Sequence, residues 1–203
     1  MVKLFVSDMD GTLLNEEHVI SDRNASAVKA LQQAGIEFVI ATGRAYNSAK
    51  PILDVHNINC KMINLNGAAV YNLNGEIETK IPLEIGTVKK MLKYLDESDT
   101  EYSVMTDKYF YVDDKEAFIE RVHEMLRKLD IEKHTNIKTD DAYSSDAQFI
   151  HEIAYIKGMD EFSYTDDTMA LKFMVFGEPS DNKLTNFYEA FKALEDLDIT
   201  SSG

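Results

Sequence analysis

Asp8 and Asp10 stand two residues apart, with Gly11 and Thr12 directly behind them and an apolar run, Leu4-Phe5-Val6, in front. That setting suits covalent phosphoryl transfer through an aspartate. An aspartate is ionised at neutral pH and can attack phosphorus as it stands. The acyl phosphate formed is more labile to water than an alkyl phosphate, so one hard step becomes two easier ones. Asp10 would protonate the leaving oxygen and then activate water, which asks for a pKa raised by its surroundings. Gly11 permits a sharp turn and a close approach to the phosphate. The amides of Met9 and Asp10 could then face the phosphoryl oxygens, and Thr42 could donate its hydroxyl to the same group. Two unit charges 4 Å apart repel by about 4 kcal/mol at an effective dielectric of 20. A carboxylate facing a phosphate dianion therefore needs a counter-charge, and Mg²⁺ held by the Asp8 carboxylate and the Asp10 carbonyl oxygen would supply it.

Such residues need elements that hold them. Residues 3–8 read as a short, fully buried strand. Ser21 can cap a helix over 22–34 with Val28 and Leu31 on its inner face, and Gly35 suits its end. Glu37–Ala41 reads as a second strand ending at Thr42-Gly43-Arg44, followed by a helix to about His56 that Pro51 either starts or kinks. Lys61–Leu65 is a third strand, closing at Asn66-Gly67. The pattern is βαβ: an open α/β sheet with three parallel strands and a ligand-binding edge at their carboxyl ends. Asp8, Thr42 and Asn66 each fall at such an end.

Beyond these strands the pattern becomes α+β. Asn74-Gly75 signals a hairpin, and Pro82 marks a break. A helix over 84–96 carries Val88, Leu92 and Leu95. A hairpin turns at Asp107-Lys108, a helix covers 115–129, and residues 132–170 are ambiguous. Leu171–Gly177 reads as a strand, and Ser180 or Asp181 can cap a last helix to about Leu194.

The net charge of −15 over 203 residues argues against a nucleic-acid partner. No apolar run approaches the ~20 residues that span a bilayer, and no secretory signal is visible. Cys60 is the only cysteine. A cytoplasmic location and no membrane partner are the expectation.

Asp8-Met9-Asp10-Gly11-Thr12-Leu13-Leu14 is similar to the first motif of the haloacid dehalogenase-like superfamily, and Ala41-Thr42-Gly43-Arg44 to its second. With Asn66-Gly67-Ala68 and the segment Leu171–Gly177, the chain resembles the Cof-type (subfamily IIB) phosphatases of that superfamily. The resemblance implies an α/β, Rossmann-like core with an inserted α+β cap domain. Residues 1–82 would be part of the core, 83–199 the cap, and 200–203 the start of the return to the core. It implies Asp8 as nucleophile and Asp10 as acid/base, both serving Mg²⁺, with Met9, Thr42 and Gly43 around the phosphoryl group. Arg44 and Asn66 become candidate substrate contacts.

The sequence also departs from the family. The family's third motif is a lysine after the cap, and its fourth a Gly-Asp pair; no Gly-Asp dipeptide occurs here. Lys157-Gly158 lies inside the cap region and is a poor substitute. The chain is therefore expected to be a truncated form, with an open edge on its first strand that invites self-association. Three functions follow: a Mg²⁺-dependent phosphatase of a small phosphorylated metabolite, an inactive fragment that binds phosphate or a partner protein, or a phosphomutase.

Plainer readings stand beside these. Thr42-Gly43-Arg44 could be only a strand-to-helix turn with a capping Thr, Arg44 a surface residue, and Asn66-Gly67 a turn. Asp113-Asp114, Asp140-Asp141 and Asp166-Asp167 lack the spacing of a calcium loop and read as solvated pairs. Tyr109-Phe110-Tyr111 reads as hairpin packing.

Overall fold

The computed structural model describes residues 2–120, 155–165, 168–178 and 180–200. The expected solvated pairs at 140–141 and 166–167 and most of the helix expected over 115–129 lie outside them; 115–120 are helical. The chain divides into two compact units, Met1–Ile81 with Lys115–Ile156, and Pro82–Asp114 with Lys157–Gly203.

The first unit holds a five-stranded sheet in the order β1 (Leu4–Ser7), β2 (Glu37–Ala41), β3 (Lys61–Asn64), β4 (Ala69–Tyr71), β5 (Ile77–Lys80). β1, β2 and β3 run parallel, and β4 and β5 continue antiparallel. Helix α1 (Asp22–Gln33) links β1 to β2 and packs against β2. Ser21 caps it by accepting the Asn24 N–H at 3.2 Å. Its end is a Schellman turn: Gly35 sits at φ +75°, Gly35 N bonds Gln32 O, and Ile36 N bonds Leu31 O. Helix α2 (Tyr46–Val55) links β2 to β3 with Pro51 inside it rather than at its start. The 71–77 turn follows its sequence: Asn72 Oδ1 accepts the N–H groups of Asn74 and Glu76, and Gly75 takes φ +78°.

One expectation fails. β1 is not fully buried: Leu4, Phe5 and Val6 are 51%, 45% and 49% exposed, and only Ser7 is buried. Among the described residues β1 ends the sheet and pairs with β2 alone, so its apolar side chains lack a strand beyond them. β2, flanked on both sides, buries Phe38, Val39 and Ile40.

The second unit is α+β. Helix α3 (Ile85–Glu97) precedes a sheet ordered β8 (Ile156–Gly158), β7 (Phe110–Val112), β6 (Tyr102–Met105), β9 (Lys172–Val175). A last helix, α4, covers Lys183–Phe191. Strand alternation turns Tyr102, Val104 and Tyr111 into one core with Val88, Met91 and Leu95 of α3 and Phe187 and Phe191 of α4. Tyr111 is thus packing, as the aromatic run suggested. The residue before α4 is Asn182, in a left-handed conformation, and not Ser180 or Asp181. Asp181 still serves the helix start, its carboxylate accepting the Lys183 N–H at 2.9 Å. No described helix is long and apolar enough to cross a membrane.

Candidate active site

The carboxyl ends of β1, β2 and β3 lie side by side, because the strands are parallel and adjacent. The loops leaving them carry Asp8, Thr42 and Asn66. After β1 the chain makes a single wide turn, Met9–Leu13, closed by Leu14 N to Met9 O at 2.9 Å. Within it Asp10 (φ −70°, ψ 127°) and Gly11 (φ 70°, ψ 4°) have the angles of a type II turn, whose second position favours glycine. Met9 is fully buried and anchors the turn, and Asn24 Nδ2 of α1 holds Leu13 O at 2.9 Å.

Asp8 is exposed, and one of its carboxylate oxygens accepts the Met9 N–H at 2.7 Å. The Met9 amide expected to face a phosphoryl oxygen is thus turned onto Asp8. The other Asp8 oxygen takes no hydrogen bond from the described residues. Ser7 Oγ donates to Asp8 O at 2.8 Å and steadies the backbone there.

Arg44 joins the two motifs. Its Nε donates to Asp10 Oδ2 at 2.8 Å and its Nη2 to Asp10 Oδ1 at 2.7 Å, a bidentate fork across 34 residues of sequence. His18 Nδ1 lies 3.6 Å from the same Oδ1. His18 has φ +58° in a short hairpin bridged by Leu14 and Ile20, whose tip is shaped by Asn15. The Arg44 hydrogen bonds, then burial acting against them, then the Arg44 charge and His18, leave the Asp10 carboxyl below its usual range. This corrects the expectation of a raised Asp10: the burial that would raise it is outweighed by the guanidinium. Asp10 rests ionised, ready as a base, and must gain a proton to act as an acid.

Thr42 is buried, and its Oγ1 accepts the Arg44 N–H at 3.2 Å. The hydroxyl hydrogen is then directed elsewhere and can serve an anion. Thr42 is not a helix cap: α2 starts at Tyr46 after Ala45, with no side-chain cap. Gly43 lies between Thr42 and Arg44 on this loop. The loop is fastened to β3 by Thr42 N to Ile63 O at 2.9 Å, Asn66 N to Thr42 O at 3.2 Å and Leu65 N to Arg44 O at 3.1 Å. Leu65, Asn66 and Gly67 all have positive φ, at 53°, 59° and 103°. A buried leucine in that region is strained by about 1–2 kcal/mol, so the end of β3 is held by its neighbours. Asn66 is exposed on this turn.

His18 and Asn64 were not legible as site residues. His18 is a lone histidine with no partner at a telling spacing, and Asn64 reads as the last polar residue of a strand. Lys157, the sequence's only Lys-Gly lysine, belongs to the second unit, where it pairs with Glu161 at 2.7 Å and lies 5.1 Å from the Tyr109 ring centre.

Among the described residues no three His, Cys, Asp or Glu side chains gather as a metal cluster. The donors present are hard oxygens, the Asp8 carboxylate and the Asp10 carbonyl. They suit Mg²⁺, which keeps several waters and completes its shell with substrate phosphate.

Residues 5–203 match the family described as haloacid dehalogenase-like hydrolase. The phosphatase YwpJ of Bacillus subtilis is 28% identical over 99% of this chain and 70% of its own length. The 5-amino-6-(5-phospho-D-ribitylamino)uracil phosphatase YwtE of the same organism is 28% identical over 100% of this chain and 69% of its own. A solved haloacid dehalogenase-like hydrolase from B. subtilis superposes with a TM-score of 0.73 at 25% identity, covering 98% of this chain and 70% of the other. The chain spans between 28% and 70% of the length of curated relatives it matches.

Proposed function

The chain belongs to the haloacid dehalogenase-like hydrolases, and from that premise we propose that it is the phosphoryl-transfer scaffold of a phosphatase acting on a small phosphorylated metabolite. The observation that carries the reading is the Arg44–Asp10 fork. It ties the loop after β2 to the loop after β1, so the two motifs meet at the carboxyl edge of the sheet. The phosphatase names of two similar B. subtilis proteins support it.

In this reading an Asp8 carboxylate oxygen attacks phosphorus and the bond to the leaving oxygen breaks. Asp10 delivers a proton to that oxygen, releasing an alcohol. Water then attacks the aspartyl phosphate, Asp10 takes its proton, and the Asp8–phosphorus bond breaks to give phosphate and free Asp8. The arriving dianion works against Arg44 on Asp10: added negative charge raises a neighbouring carboxyl and favours the protonation its first task needs. Thr42 donates its hydroxyl and the Gly43 amide joins it at the phosphoryl group; the Met9 amide, bonded to the Asp8 carboxylate at 2.7 Å, joins them only once Asp8 releases it. Asp8 and the Asp10 carbonyl would hold Mg²⁺, whose charge offsets that of the phosphate. Arg44 and Asn66 face the leaving group. In this reading the segment 83–199 supplies the cap that selects it.

The test is hydrolysis of p-nitrophenyl phosphate by this chain, with Mg²⁺ and with EDTA, beside Asp8→Asn. Turnover that requires both Mg²⁺ and Asp8 is expected. Activity equal to the Asp8→Asn background would refute the hydrolase reading for this chain and favour phosphate binding without turnover. Phosphate appearing on an added sugar phosphate instead of in solution would mark a mutase.

A further inference from the structure

Asn64 ends β3 and is fully buried. Its Nδ2 donates to the Arg44 carbonyl at 3.1 Å, while its Oδ1 has no hydrogen-bond partner among the described residues. The orientation is dictated by chemistry: a carbonyl oxygen can face only the NH₂ end of the amide. For stability alone this is a poor use of a core position. A buried unpaired acceptor costs more than one such hydrogen bond returns. An apolar side chain of the same shape would serve the core as well or better.

The bond has a different consequence. The Arg44 carbonyl takes two donors, the Leu65 N–H at 3.1 Å and the Asn64 amide. The Arg44 N–H is fixed in turn by Thr42 Oγ1 at 3.2 Å. Both peptide groups of Arg44 are therefore held, and the direction in which its side chain leaves the backbone is set. That side chain is the fork on Asp10.

We propose that Asn64 is a positioning residue of this site: its buried amide fixes the Arg44 backbone, and through it aims the guanidinium that holds Asp10. The proposal rests on the phosphatase reading for its effect on turnover, but not for the link from Asn64 to Arg44. Asn64 contacts neither substrate nor reacting atoms. Its removal loosens Asp10 at the steps where a proton moves, so kcat suffers while ground-state binding does not.

The experiment uses Asn64→Leu, which keeps shape and removes both polar atoms. The Arg44 Nε–H is followed by ¹⁵N NMR, assigned by its loss in Arg44→Lys. In the parent chain the bidentate fork gives a protected resonance. In Asn64→Leu that proton exchanges at least about tenfold faster, kcat falls about tenfold, KM stays within about twofold, and the melting temperature is unchanged or higher. In an Arg44→Ala background, Asn64→Leu changes kcat by less than about twofold, because residues acting through one another are not additive. An Arg44 Nε–H as protected as in the parent, or an undiminished loss of kcat in the Arg44→Ala background, would overturn the proposal. Should Asn64→Leu melt below the assay temperature, Asn64→Ala, which only empties space, is read the same way. If the parent chain turns over no phosphate ester, the phosphatase reading fails, and the Arg44 resonance still decides the role of Asn64.

Discussion

Arg44→Ala removes the two bonds, 2.8 Å and 2.7 Å long, that hold the Asp10 carboxylate. Bonds to charged groups contribute about 1.5–3 kcal/mol when dry. Here the Arg44 and Asp10 side chains are 21% and 45% exposed, so the pair is discounted toward the surface value of about 1 kcal/mol. A released carboxylate also regains about three χ1 wells in place of one, worth about 0.6 kcal/mol. Together these put the loss of transition-state stabilisation at about 1.5–2 kcal/mol, a fall in kcat/KM of about tenfold to thirtyfold. The pH profile gives an independent reading. Arg44 holds the Asp10 carboxyl below the usual carboxylate range, chiefly through its hydrogen bonds. Without it the Asp10 carboxyl rises, and the acid limb of the rate profile, where Asp10 must be ionised to activate water, moves to higher pH. Stability follows the same linkage. A lowered folded-state pKa stabilises above the unfolded value and is lost as pH falls through the folded one. The melting gap between the parent chain and Arg44→Ala should thus be widest near neutrality and close below pH 3.8. The assay is p-nitrophenyl phosphate turnover across pH, with thermal melts on the same samples. Turnover within twofold of the parent together with an unmoved acid limb would show that Arg44 does not govern Asp10.

Other outcomes are expected. Burial pushes the Cys60 thiol up from 9.0 to about 11. A group raised on folding stabilises below its unfolded value, so the parent chain should lose stability relative to Cys60→Ala between pH 9.0 and about 11; parallel melts across that window would reveal a wrong sign. The same thiol should resist Ellman's reagent until urea unfolds the chain, and rapid native labelling would contradict its burial. Leu95→Ala empties a fully buried position in the second unit's core and should cost about 2–5 kcal/mol in urea unfolding. Gly11→Ala meets no neighbour within 4 Å among the described residues, so its cost is set by φ +70°, about 1–2 kcal/mol by denaturant titration; a neutral result would mean the turn relaxes.

The βαβ order, the helix from Asp22 with its Ser21 cap and Gly35 stop, and the turn at Asn74-Gly75 could all be read from the chain, because each depends on residues within a few positions of one another. So could the placement of Asp8 and Thr42 at strand ends, since parallel crossovers put those ends on one edge. The exposure of Leu4, Phe5 and Val6 could not. An apolar run looks the same whether its strand lies inside a sheet or ends it, and only the strand order distinguishes them. The fork from Arg44 to Asp10 spans 34 residues, and the hold of Asn64 on Arg44 spans 20. Such contacts come from chain paths that no local pattern encodes. The direction of the Asp10 shift was lost for the same reason. An aspartate in a crevice can be raised by burial or lowered by a cation, and only the tertiary structure, by bringing a guanidinium within 2.7 Å, decided which effect prevails.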